Sequence, residues 1–293
     1  MIISSFFQML PILISIAAGY LYAHRFEVEA TSLVTVTSDL LLPALIFHSV
    51  SQSPLSSQAL GEVLTSSALI CLILLVTGWL WVRLVGENPR SVLPALVFMN
   101  SGFLGIPLMK LWGGNEAMNL ILIFDQMQGI FMFSIGILII TGGFNKKSFV
   151  SLLHSPIIWA MVLGFIFNLS GITIPAPIAT SLFFVGEAAS PLACVALGIS
   201  IRHTRFTFHK SLFGSLLFRF VGGWLIGLLV VSILGLTGLV RTITLVAAAL
   251  PSAMFTSILP LRYEQDNQYA SMMVVISTLL GVVTIPLSFA LAT

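Results

Sequence analysis

Across 293 residues the chain is 58% hydrophobic and 8% charged, with a mean hydropathy of +1.09. A water-soluble domain carries roughly 25% charge, so composition excludes a soluble enzyme, a disordered chain, a fibre and a nucleic-acid-binding module. Twelve Lys and Arg against ten Asp and Glu leave a net charge of +2, too small to point to a polyanionic partner, and the chain reads as an all-α polytopic protein of the lipid bilayer.

Polar, Gly-bearing or Pro-bearing breaks divide the apolar runs into ten segments, each long enough to cross a hydrocarbon core of about 30 Å as a helix. In chain order the first five are Ser5 to Ala23, Ala30 to Val50, Leu60 to Val85, Pro89 to Trp112 and Asn115 to Gly142. The second five are Ser151 to Ser170, Pro175 to Ile201, His209 to Leu234, Leu239 to Tyr263 and Asn267 to Ala292. A β-barrel is excluded because these runs are too long and lack a period of two. The first run has no basic leader before it and no small-residue cleavage site after it, so it reads as a permanent span. Every connection is too short to fold alone, which confines any activity to the membrane.

Lys and Arg concentrate on the cytoplasmic side of short loops. With the N-terminus outside, Arg25, Arg83, Arg90, Lys146, Lys147, Arg202, Arg205, Lys210 and Arg262 fall inside and only Lys110 and Arg241 outside, nine against two. Ten spans then set both termini on the periplasmic face of a bacterial-type inner membrane.

Proline and glycine spacing points to an internal repeat. Pro11 and Gly19 in span one match Pro156 and Gly164 in span six; Asp39 before Pro43 in span two matches Glu187 before Pro191 in span seven. Asn115 to Gly129 matches Asn267 to Gly281, which sets Asp125 opposite Ser277. Five spans per unit is odd, so the second unit enters the membrane from the opposite side. Two inverted five-helix repeats are expected, the layout of secondary transporters whose site lies near the midplane.

Spans four and nine are the most irregular. Pro94, Asn100, Ser101, Gly102, Gly105 and Pro107 interrupt one; Pro251, Ser252, Thr256, Ser257 and Pro260 interrupt the other. Proline withholds a backbone donor and glycine eases unusual angles, so both helices should unwind and leave polar backbone to be met by protein, water or ligand. Asn100, Ser101, Ser252, Thr256 and Ser257 would supply neutral hydrogen bonds there, and the half-helix N-termini would favour an anion. Asp39, Asp125, Glu187 and Arg219 also lie near the middle of spans, where an unpaired charge costs roughly 2.5 to 3.5 kcal/mol on insertion scales. Arg219 is expected to neutralise one acid, with Glu187 or Asp125 as its partner; a proton or cation role is left for the others.

Cys71 and Cys194 lie inside apolar runs and read as packing residues, and His24, His48, His154, His203 and His209 sit near span ends without ligand spacing. No phosphate-binding loop, His-Glu-x-x-His helix or Gly-x-Ser-x-Gly elbow is present, and nothing pairs a nucleophile with a base. No enzyme, metal site or cofactor is expected.

The run Asn100-Ser-Gly-Phe-Leu-Gly105-Ile106-Pro107-Leu108 resembles the Asn-x-x-x-x-Gly-Ile-Pro-Leu crossover motif of the auxin efflux carrier family, whose bacterial members include permeases assigned to malonate and other organic acids. Leu42-Pro43-Ala44-Leu45, Ser190-Pro191-Leu192, Leu197-Gly198, Arg219-Phe220 with Gly223, Leu250-Pro251 and Arg262-Tyr263 extend the resemblance over nearly the whole chain. It implies ten helices: a scaffold domain of spans one, two, six and seven (residues 1–58 and 148–205), and a transport domain of spans three to five and eight to ten (residues 59–147 and 206–293). It further implies an organic carboxylate bound where helices four and nine cross, an elevator-type movement, and homodimers. Asn100 and Pro107 match the first crossover and Pro251 the second; the plant carriers' large hydrophilic loop is absent. Coupling to a proton or to sodium is left open. The alternatives are a sodium-coupled carrier of the bile-acid type, and a channel or membrane sensor without turnover.

Overall fold

A computed structural model describes residues 2–52, 58–143, 150, 153–203 and 210–292. The described residues are helical almost throughout, as backbone without water requires. Helix α1 (Ile2–Arg25) leads to α2 (Ala30–Val36), a widened π-turn (Thr37–Leu41) and α3 (Leu42–Ser51). Next come α4 (Gln58–Val85) and the short α5 (Pro89–Val97), then a π-turn (Ser101–Gly105) and α6 (Ile106–Phe131). A third π-turn (Met132–Gly136) and α7 (Ile137–Thr141) complete that run. Beyond it lie α8 (Pro156–Leu169), α9 (Ala176–Glu187), α10 (Ala189–His203) and α11 (Lys210–Leu217). A fourth π-turn (Phe218–Gly222) joins α12 (Gly223–Leu234), followed by α13 (Gly238–Ala248), α14 (Phe255–Arg262) and α15 (Gln268–Ala292).

Six helical runs among the described residues are long and apolar enough to cross a membrane, and α8 and α13 are shorter apolar helices. Outward-facing Phe213, Leu217, Val221, Leu225 and Leu229 recur every four residues along α11 to α12, one stripe suited to acyl chains. Several serines and threonines inside the helices bond the carbonyl one turn back, as Thr37 does to Leu33 (2.7 Å) and Thr77 to Ile73 (2.7 Å), which satisfies those hydroxyls without water; the buried Ser38 and Thr284 hydroxyls have no such partner. Cys71 and Cys194 are buried free thiols, and Cys194 Sγ lies 3.5 Å from Met254 Sδ. Lys146, Lys147, Ser151, Arg205 and His209 lie outside the described residues.

Two interruptions organise the interior. Helix α5 starts well: Asn88 caps it by accepting the Arg90 N–H (3.0 Å), and Pro89 fits the first turn. It stops at Val97, where Phe98 turns extended (φ −91°, ψ 128°). Helix α13 stops at Ala248 because Leu250 precedes Pro251 and is steered away from helical angles. The freed segments pair with each other: Met99 and Ser252 form an antiparallel bridge, the Asn100 N–H donates to Pro251 O (2.9 Å) and the Ala253 N–H to Phe98 O (2.8 Å). Pro251 offers only its carbonyl, so its missing N–H costs the bridge nothing. Gly113 (φ −126°, ψ 16°) and Gly114 (φ 68°, ψ −156°) interrupt α6, turning the chain where spans four and five are predicted to part.

Candidate functional site

The paired extended segments border a cavity of about 310 Å³. Leu42, Leu45, Ile46 and Ser49 of α3 form one wall; Asn100, Gly102 and Phe103, with Ala253, Met254 and Phe255, form the opposite one. Asp125, Gln126, Gln128, Met132 and Phe133 extend it along the α6 run, and Phe183 and Glu187 of α9 complete it. The walls are mostly apolar and aromatic; Asn100 and Asp125 bring polar groups to the side of the crossing, and Ser49 and Glu187 to the α3 and α9 side.

Asn100 sits at the break because the first segment unwinds there, its carbonyl accepting the Gly105 N–H five residues on (3.0 Å). Its side chain is 2% exposed, lines the cavity, and leaves Nδ2 without a hydrogen-bond partner. Buried polar groups are almost always satisfied, so an unmet amide donor in a cavity marks a place for an acceptor.

Behind Asn100 runs a chain of hydrogen bonds of fixed sense. The Met99 N–H donates to Gln128 Oε1 (2.8 Å) and Gln128 Nε2 donates back to Met99 O (2.7 Å), which fixes the amide's orientation. The second Nε2 hydrogen goes to Ser101 Oγ (2.9 Å), so the Ser101 hydroxyl donates onward to Asp125 Oδ1 (2.7 Å). The Gly102 N–H donates to the same carboxylate. Asp125 thereby occupies the N-terminus of the half-helix that follows the break, the place where an anion was expected from outside. The residues missed in the sequence are Gln128 and Gln126; the available signal was Gln128 one turn after Asp125 in an otherwise apolar run.

Other nominated residues support the crossing without lining the cavity. Ser252 Oγ donates to Ala95 O (2.6 Å) and its N–H donates to Ser277 Oγ (3.1 Å), fastening the second segment to α15. Thr256 and Ser257 donate their hydroxyls to Ala253 O (2.6 Å) and Met254 O (2.7 Å), three residues back, so both are satisfied locally at the start of α14. Gly105 is packed so closely that a Cβ there would lie 3.1 Å from Leu250 and 3.2 Å from Ile121. Pro107 is the second residue of α6, an early position that suits its missing N–H; its side chain lies outside the described residues.

Arg219 differs from expectation. It is fully buried in the Phe218–Gly222 turn and reaches neither Glu187 nor Asp125; Nη1 donates to Leu96 O (2.6 Å) and Val97 O (3.2 Å), and Nη2 to Ala248 O. These carbonyls end α5 and α13, where a helix leaves acceptors unmet and its dipole is negative. Two converging helix ends act as the counter-charge that sequence spacing assigned to a carboxylate. Asp39 also lies elsewhere: it pairs with Arg262 through Oδ1 (3.1 Å) and Oδ2 (2.7 Å) beside a separate hollow lined by His154, Ser155 and Tyr263. Glu187, the last residue of α9, is the acid that shares the cavity with Asp125.

A family model described as membrane transport protein matches residues 4–148 and 141–289 of the chain. An uncharacterized transporter of Methanothermobacter thermautotrophicus is 30% identical over 276 residues, covering 89% of this chain and 88% of the relative. An uncharacterized transporter of Methanocaldococcus jannaschii is 26% identical over 297 residues, covering 95% and 96%.

Proposed function

The chain belongs to the membrane transport protein family, that of the auxin efflux carriers, and on this premise we propose that it is a secondary transporter of a small organic anion bound at the helix crossing. It is a multi-pass membrane protein of a transporter family, not an enzyme. The observation that carries the reading is the buried Asn100 amide, unpartnered in a cavity of about 310 Å³ where two broken helices meet. A carboxylate would accept from Asn100 Nδ2 and lie near the first turn of α14, where the helix dipole favours an anion although the Thr256 and Ser257 N–H groups already donate to Ala253 O (3.0 Å) and Met254 O (3.1 Å). Its apolar body would pack among Phe103, Phe133, Phe183 and Phe255.

The reading includes ten spans as two inverted five-helix repeats, with both termini on the outer face. The pairing of the two breaks supports this, and so does the way each crossing segment is fastened to the helix after it, Met99 to Gln128 and Ser252 to Ser277. Residues 1–58 and 148–205 form the scaffold; residues 59–147 and 206–293 move against it in an elevator-type cycle, and the scaffold carries a homodimer interface. The cavity lies between α3 and α9 of the first group and the crossing segments of the second, which is where such movement would expose it alternately to the two sides.

Uptake of labelled mono- and dicarboxylates into proteoliposomes tests the reading, with sodium and pH gradients varied separately. The expected result is saturable uptake that Asn100→Ala lowers at least tenfold while the variant remains folded in the membrane. Uptake unchanged in the variant would remove Asn100 from the site. Uptake that requires sodium would favour the bile-acid type of carrier, and current far above carrier rates would favour a channel.

A further inference from the structure

Among the described residues, the cavity proposed to receive the anion is lined by two acids, Asp125 and Glu187, and by no Lys, Arg or His. The helix α6 carries Lys110 and Glu116 near its start; against it pack α4 with Glu62, Cys71 and Arg83, α13 with Arg241, and α1 with His24 and Arg25. Across the cavity α3 carries His48 and α9 carries Glu187. Of all these groups only Glu187 reaches the lining. Arg219, the cation buried nearest the crossing in sequence logic, is engaged by three carbonyls behind it. An anion seated on Asn100 beside an ionised Asp125 would thus be repelled at short range, with apolar walls to sharpen the repulsion and no cation among the described lining residues to offset it.

We propose that Asp125 is the coupling group of the transporter: it takes up a proton when the anion enters and gives it back when the anion leaves, so that anion and proton cross together. The inference rests on reading the cavity as an organic-anion site. The proton comes from water on the side to which the cavity is open, forms an O–H bond on the Asp125 carboxylate, and returns to water on the other side; no further reactant is involved. A proton fits this place better than a metal cation because the hydrogen-bond chain through Gln128 makes Ser101 present its hydrogen, not a lone pair, to the carboxylate. Sodium needs several oxygen lone pairs around it, whereas a proton needs only the carboxylate itself.

Two measurements on the full chain in proteoliposomes test this. The first follows accumulation of an accepted carboxylate under an imposed pH gradient, for wild type and Asp125→Asn, a variant with the shape of the protonated side chain. Wild type should concentrate the anion about tenfold per pH unit of gradient. Asp125→Asn should fall to no concentration at all yet still exchange substrate, at a rate that no longer varies with pH. The second follows the carboxylic-acid carbonyl stretch by infrared difference spectroscopy, with a band expected on acidification that Asp125→Asn lacks. Accumulation that follows sodium, or a pH response intact in the variant, overturns the proposal, as does a folded variant that exchanges nothing at any pH. An Asp125 band without transport of any carboxylate would leave the proton site standing and remove the anion reading instead.

Discussion

At the scale of single residues, Arg219 decides whether the crossing holds. Its guanidinium donates to carbonyls at the ends of both α5 and α13 while being fully buried, so removing it strands those acceptors together. Arg219→Met should cost about 2–4 kcal/mol of stability, on the scale of one to three unmet buried acceptors, and Arg219→Lys should recover part of it. Thermal unfolding in detergent checks this; a variant as stable as wild type would show that the carbonyls find other donors. Asn100 and Asp125 were nominated from the sequence because polar residues stand out in apolar runs. The partner of Arg219 was not legible there, because every residue has a carbonyl and only a helix end turns some of them into a site. Gln128 was overlooked for the opposite reason: an uncharged residue inside a span draws no attention until its amide is seen holding Met99 and Ser101.

At the scale of elements, helices approach closely where they carry glycine. A Cβ on Gly198 of α10 would lie 2.0 Å from Ile16 O and 2.7 Å from Tyr20 N of α1, and one on Gly19 would lie 2.2 Å from Val195 O. The backbones of α1 and α10 are thus in direct contact, as small residues permit in membrane helix pairs. Gly198→Ala must push the pair apart and should destabilise the protein by about 1–3 kcal/mol, the range for overpacking, without touching the cavity. Substrate affinity should therefore change far less than thermal stability; a variant that binds poorly but melts normally would contradict this. The apolar runs and the two broken ones were legible from hydropathy and proline. That α1 seats on α10 was not, since glycine marks a close approach without naming the neighbour.

The four π-turns also belong to this scale. Asp39, Ser101 and Arg219 each lie within one, so the residues carrying polar work interrupt regular helix where they sit. A widened turn frees or redirects backbone bonds, which helps explain their occurrence at functional places. No sequence pattern announced them, because a π-turn differs from its helix by one residue of register.

At the scale of the molecule, the Asp39–Arg262 pair ties the π-turn after α2 to the end of α14, across the boundary proposed between scaffold and moving part. Both side chains are about one third exposed, 33% and 36%, so the pair is worth roughly 1 kcal/mol or less as static stability. Its expected importance is to weight one access state over the other. Asp39→Asn and Arg262→Gln should shift apparent substrate affinity in opposite senses at the two membrane faces, and the double variant should add nothing to either single one. Sided kinetics in right-side-out and inside-out vesicles check this, and additive effects would show that the residues act separately. The sequence set Asp39 near the middle of a span and Arg262 on the cytoplasmic side without linking them, for their 223-residue separation is closed only by the fold.

Counterflow tests most directly whether an anion is carried at the crossing. Proteoliposomes loaded with an unlabelled carboxylate and placed in a trace of the labelled one should show transient, saturable accumulation of label for wild type, reduced at least tenfold in Asn100→Ala. Label that enters without saturating, or an Asn100→Ala variant that exchanges as fast as wild type, would contradict a carrier whose anion sits at the crossing.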